Sequence, residues 1–96
     1  MPLGAIAPAQ LYAPMARRHM ELYGTTSRQL GEIAVSTRAN AILNGNAIMT
    51  KPISIEDHQA SRMISDPLRL LDCSLESDGA CAIVVSGIER ARGLRR

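Results

Sequence analysis

Ala80-Cys81-Ala82-Ile83-Val84-Val85 is a run of six apolar residues, entered through Ser77-Asp78-Gly79 and left through Ser86-Gly87. It is far short of the ~20 residues a membrane helix needs. It is also too continuous and too β-branched to be a strand with one wet face, and it reads as a strand buried on both faces. Such a strand needs a sheet, and a sheet needs partner strands. The rest of the 96 residues contain no comparable run. The sequence therefore predicts one central strand whose neighbours come from elsewhere.

Composition points the same way. With 46% apolar residues and a net charge of +2, the chain is neither a disordered tail nor a polycation. It has no Trp or Phe and only two Tyr, so Ala, Leu, Ile, Val and Met must fill a core that aromatics normally dominate. A chain of this size hides only roughly 60–70% of its unfolded surface, and an Ala-rich core at that size is thin. Residues 1–7 lack the charged and long apolar regions of a signal peptide. Two cysteines do not make a disulfide framework, and a reducing, cytoplasmic compartment is the simplest reading. The arginines at 90, 92, 95 and 96 against Glu89 give residues 87–96 a local excess of positive charge.

Helices account for most of the remainder. Pro8 can open a helix at its first position, but Pro14 follows, and an interior proline removes a hydrogen bond and costs about 3 kcal/mol. The expectation is a kink, or a short turn over 8–12 followed by a helix over 14–23, ended by Gly24. Thr26-Ser27-Arg28-Gln29 is a capping box. The helix it opens runs to Asn44, with Leu30, Ile33, Ala34, Thr37 and Ala41 on one buried face. Ser54-Ile55-Glu56-Asp57 opens a short helix over 55–61. Pro67 makes 62–72 a loop with a brief strand, and Ser86-Gly87-Ile88-Glu89 opens a terminal helix that stops where the chain stops.

Chemical constellations are sparse. Cys73 and Cys81 lack a second close pair, so the four ligands of structural zinc are not met, and both read as buried, inert thiols. His19 lies near a helix C-terminus, where the dipole favours a positive ring, and His58 sits on a short polar helix; neither stands in a catalytic spacing, and both read as surface or helix-end residues. No nucleophile elbow, dinucleotide fingerprint or phosphate loop is present. The arginines at 90–96 have no interleaved aromatic for base stacking and read as a solvated helix end rather than a nucleic-acid site.

Three stretches taken together resemble a known family. They are Met15-Ala16-Arg17-Arg18-His19-Met20 with Tyr23-Gly24-Thr25-Thr26; Ala60-Ser61-Arg62-Met63-Ile64-Ser65-Asp66-Pro67-Leu68-Arg69-Leu70-Leu71-Asp72-Cys73; and Ser77-Asp78-Gly79-Ala80-Cys81-Ala82-Ile83-Val84-Val85. In that order and spacing they resemble the middle of a thiolase-like acyltransferase of the lipid-transfer or sterol-carrier branch. The resemblance implies an α/β fold, part of a five-layered αβαβα body. A mostly helical loop segment over about 8–72 would cover the acyl-CoA site, and 73–96 would supply the last strand of a mixed sheet and the helix after it. Pro14 departs from the family pattern, where a helix former is commoner.

The chemistry implied by the family is acyl transfer between coenzyme A thioesters, with carbon–carbon bond cleavage or formation. No cofactor is implied; the coenzyme A thioester is substrate. The family's nucleophilic cysteine, histidine and second cysteine map onto no residue here, so no catalytic residue and no metal ligand is assigned, and the chain alone is expected to be inactive. Ser74 falls where related thiolases place a small residue near the pantetheine arm, and Asp78 and Gly79 would shape the turn entering the strand. The resemblance further implies an acyl-CoA substrate for the complete enzyme, a homo- or hetero-oligomer without nucleic acid or a membrane span, and a peroxisomal or mitochondrial setting in a eukaryote. The competing expectation is a small helical interaction module that completes a partner chain.

Overall fold

The computed structural model describes Gly4 and residues 6–94. Helix α1 spans Pro8–Tyr23, α2 Ser27–Asn44 and α3 Ile55–Ala60. A two-stranded antiparallel hairpin follows, β1 Met63–Ser65 and β2 Leu68–Arg69. A 3-10 turn over Leu70–Asp72 and a short helix α4, Ile88–Arg92, complete the described elements.

Each helix boundary has a local cause. Pro8 sits in the first turn of α1, and the Gln10 Oε1 accepts from the Ile6 and Ala7 N–H groups at 2.8 and 3.0 Å. Gly24 ends the helix at φ 68°, a left-handed conformation open to glycine at little cost, and donates its N–H to the Met20 carbonyl. One helix runs through Pro14 without the intervening turn that the proline allowed. The Thr26 hydroxyl accepts from the Gln29 N–H at 3.3 Å, and the Gln29 side chain accepts in return from the Thr26 N–H at 2.7 Å. Ser54 and Asp57 make the same reciprocal pair at 3.1 and 2.8 Å. The start of α4 departs from expectation: Gly87, not Ser86, is its cap, no side chain bonds there, and the helix stops at Arg92. Arg95 and Arg96 lie outside the described residues.

The helices and hairpin meet through few buried groups. Ala13 of α1 is buried, and the Arg17 guanidinium pairs with Asp66 in the hairpin turn, whose Pro67 is also buried. Gly31 of α2 is buried under His58 of α3. The Arg38 guanidinium donates to the Lys51 carbonyl at 2.8 Å and draws the 46–53 connection back along α2. The Leu70 N–H donates to the Arg62 carbonyl at 2.8 Å, prolonging the hairpin pairing. The loop with a brief strand expected over 62–72 is thus a hairpin with a 3-10 turn.

The strand expected over 80–85 is not formed. Residues 74–87 carry no helix, strand or turn, and every described residue from Ser74 onward is exposed. Ile83, Val84 and Val85 are 90%, 88% and 89% exposed. The physical reason is the one that made the run conspicuous: a strand is defined by ladder partners, and the only strands among the described residues pair with each other. The observed fold is mostly helical with one small hairpin, and the αβαβα body is not contained in it. A radius of gyration of 19.1 Å, against ~12–13 Å for a compact chain of this length, reflects the same shortfall.

Candidate functional site

Two grooves open on either side of one short stretch of chain. The first, about 430 Å³, lies between α2 and the segment after the hairpin; Leu30, Ile33, Ala34, Thr37 and Ala41 form one wall, with Ile53 and Leu71 opposite. This is the α2 face expected to be buried. It is an open apolar wall instead, and Ile33 is 63% exposed. The side of α2 that is covered carries Gly31, because α3 packs there. The second groove, about 620 Å³, lies between the start of α1 and residues 70–76, with Tyr12, Ile64, Leu70 and Leu75 along it. Leu68, Asp72, Cys73 and Ser74 border both grooves. The shared wall is therefore the end of the hairpin and the 3-10 turn.

A buried polar chain stands behind that wall. His58 is fully buried, the largest side chain so enclosed among the described residues. Its Nε2 lies 2.8 Å from Asp72 Oδ1, and its Nδ1 lies 3.0 Å from the Gln59 side-chain nitrogen. With the Gln59 amide donating to Nδ1, the ring proton sits on Nε2 and is donated to the carboxylate. Gln59 also donates to the Ser27 hydroxyl at 3.3 Å, so the chain reaches back to the first turn of α2. The other Asp72 oxygen, Oδ2, accepts from the Arg69 N–H at 2.8 Å. The Arg69 guanidinium donates through Nη1 to the Ser61 carbonyl at 3.0 Å, while its buried Nε has no partner among the described residues. His58 thus lies in the last turn of α3, at a helix end as expected, but not at the surface: its helix turns it inward onto the one α2 position without a side chain.

The remaining candidates lie as follows. Cys73 is half-buried; its Sγ–H donates to the Arg69 carbonyl at 3.4 Å, and burial, reinforced by the Asp72 charge, pushes its pKa up. Cys81 is exposed rather than buried, since its strand is absent. Ser74 is exposed on the rim of both grooves. Asp78 and Gly79, expected to turn the chain into that strand, lie in the irregular stretch and line neither groove. His19 accepts or donates at Nδ1 to the Thr25 hydroxyl at 2.9 Å and stacks at a tilt on Tyr23 at 4.7 Å. Arg92 pairs with Glu89 at 2.7 Å. Among the described residues no group of three or more His, Cys, Asp or Glu side chains is placed to hold a metal ion, and no helix is long and apolar enough to cross a membrane.

The chain is thiolase-like: its relatives include acetyl-CoA acetyltransferases and sterol carrier protein 2. Three comparisons stand out. It is 52% identical over 96 residues to a 17-hydroxy-3-oxo-4-pregnene-20-carboxyl-CoA lyase of Mycobacterium tuberculosis, matching 99% of this chain and 25% of that one. It is 48% identical over 82 residues to an acetyl-CoA acetyltransferase of Methanothermobacter thermautotrophicus, matching 85% of this chain and 21% of that one. A solved structure described as an Ltp2-ChsH2(DUF35) aldolase superposes with a TM-score of 0.75 at 50% identity, covering 80% of this chain and 20% of that one. The chain thus spans about a quarter or less of the length of these relatives. No family model matches it.

Proposed function

We propose that this chain is the part of a thiolase-like enzyme of lipid metabolism that helps cover a coenzyme A thioester, with the acyl portion against the apolar grooves and Ser74 beside the pantetheine arm. The observation that carries the reading is the pair of grooves sharing the Leu68, Cys73 and Ser74 wall, mostly apolar and rimmed by a few polar groups, the usual make-up of a small-molecule site. The relatives' names divide between a lyase or aldolase and an acetyltransferase. The names of the lyase and of the acetyltransferase each carry a coenzyme A group, and carbon–carbon bond chemistry on such a thioester is the reaction class that the family resemblance implies. The nucleophile and proton-transfer groups belong to parts of the enzyme outside these residues, so the chain by itself binds without turning over.

The exposed run at 83–85 favours assembly. In the complete protein it lies between strands of a sheet, and the name of the aldolase structure, which joins two components, supports a multi-subunit enzyme. The interaction-module reading and the enzyme-segment reading converge here, since both require a sheet to receive the same ribbon.

Titration calorimetry tests the proposal. A medium-chain acyl-CoA is expected to bind the purified chain more tightly than free coenzyme A, and Ser74→Glu, which sets a carboxylate beside the groove, to weaken it about tenfold, equivalent to ~1.4 kcal/mol. Equal heats for both ligands, or an unaffected Ser74→Glu, would overturn the reading. Thiolysis by the chain alone would overturn its assignment as a non-catalytic part.

A further inference from the structure

We propose that His58 and Asp72 are a positioning pair whose role is to fasten the wall shared by the two grooves, so that breaking their bond frees residues 70–76 while α1 and α2 stay folded.

Three observations carry this. Among the described residues, the 2.8 Å bond from His58 to Asp72 is the only hydrogen bond joining residues 70–74 to α2 or α3. The carboxylate spends one oxygen on that bond and the other on the Arg69 N–H at the end of β2, which ties the 3-10 turn to the hairpin on one side and α3 on the other. The imidazole has no freedom to follow if the turn moves: it is fully buried, seated on Gly31, and held at Nδ1 by Gln59. Immediately beyond this fixed point come Cys73 and Ser74, which like Leu68 and Asp72 border both grooves.

A structural alternative is that the buried pair simply belongs to the core, so that its loss loosens everything. The burial pattern argues against that. Leu70, Ser74 and Leu75 are exposed and Leu71 only half-buried, so little apolar burial holds the segment once the charged bond is gone. Segments with few buried contacts open locally, without global unfolding. The helices α1 and α2 have their own caps and 16 and 18 residues of internal bonding. The consequence for an acyl-CoA ligand rests on the function proposed above.

The chain carries its own reporter and reference. Cys73 lies in the fastened segment and Cys81 in the exposed stretch, so alkylation rates read by mass spectrometry compare them in one molecule. In His58→Ala and in Asp72→Ala, labelling of Cys73 relative to Cys81 is expected to rise about tenfold, with faster amide exchange over 70–76 and unchanged exchange in α1 and α2. His58→Gln, which keeps an N–H donor within reach of Asp72, is expected to restore most of the slow labelling. Slow Cys73 labelling in both alanine variants, exchange that spreads through α1 and α2, loss of helix signal, or failure of His58→Gln to rescue would each overturn the proposal. If Cys73 is freed but acyl-CoA affinity is unchanged, the fastening stands and the ligand reading falls.

Discussion

A methyl group on Gly31 would stand 2.9 Å from Nδ1 and 3.1 Å from Cγ of His58. That distance decides between two opposed effects. Alanine is worth about 1 kcal/mol more than glycine inside a helix, which alone would make Gly31→Ala stabilising. The imidazole, however, is enclosed and bonded at both nitrogens, so it can yield only by giving up a hydrogen bond, and overpacking of that kind costs ~1–3 kcal/mol. Gly31→Ala is therefore expected to lower the chain's stability by about 1 kcal/mol net, measured by urea unfolding. A stabilised variant would show that His58 is free to move.

Pro14 is the reverse case. It lies within α1 and is exposed, so replacing it removes a defect without disturbing a neighbour. Pro14→Ala is expected to stabilise α1 by up to ~3 kcal/mol, the helix-interior difference between the two residues. Helical circular dichroism and slower amide exchange at residues 14–18 would register the gain; unchanged exchange would mean that the local bonding already compensates.

The cap of α3 makes stability depend on acid. The Ser54 backbone N–H and hydroxyl bonded to Asp57 hold its carboxyl below the ordinary value of 3.8. Because the folded pKa is the lower one, the contribution is complete above the ordinary carboxylate range and fades as pH falls through the folded value. Below about pH 4, amide exchange at residues 55–58 is expected to quicken in the parent chain, whereas Asp57→Asn should show much less change over that interval.

The two thiols should separate by rate and by pH. Burial, with Asp72 adding to it, raises the Cys73 pKa above 9.0, and the thiolate is the reactive form. Alkylation of Cys73 is expected to lag that of exposed Cys81 at neutral pH and to accelerate only on the alkaline side of an ordinary thiol. The sign for stability follows: ionising a half-buried thiol penalises the folded state, so stability is complete below the ordinary thiol value and declines as pH rises beyond it. Equal rates at neutral pH would remove the case for a sheltered Cys73.

How much of this was legible beforehand differs by residue. Thr26 with Gln29 and Ser54 with Asp57 announce their helices because a cap is a contact three residues long, and Gly24 marks an end for the same reason. The family resemblance was equally readable, since it rests on short runs such as Ile64-Ser65-Asp66-Pro67-Leu68. The His58–Asp72 bond spans fourteen residues, and no local spacing encodes it. One signal did exist: Gly31 in a helix interior, where a glycine is costly unless something must come close. The apolar face of α2 lies open rather than buried: periodicity marks a stripe as apolar without saying whether a neighbour covers it. The ribbon at 80–85 failed as a strand for a related reason, since composition reports the environment a segment suits and hydrogen-bond partners decide the conformation it adopts.

The bare backbone around Ile83 to Val85 also sets how the molecule behaves at the bench. Six uncharged residues without proline, all exposed and in no helix or strand, are a template for edge-to-edge pairing. Self-association that grows with protein concentration is the expected consequence, and Val84→Lys, at a position 88% exposed, is expected to oppose it while leaving the folded contacts in place.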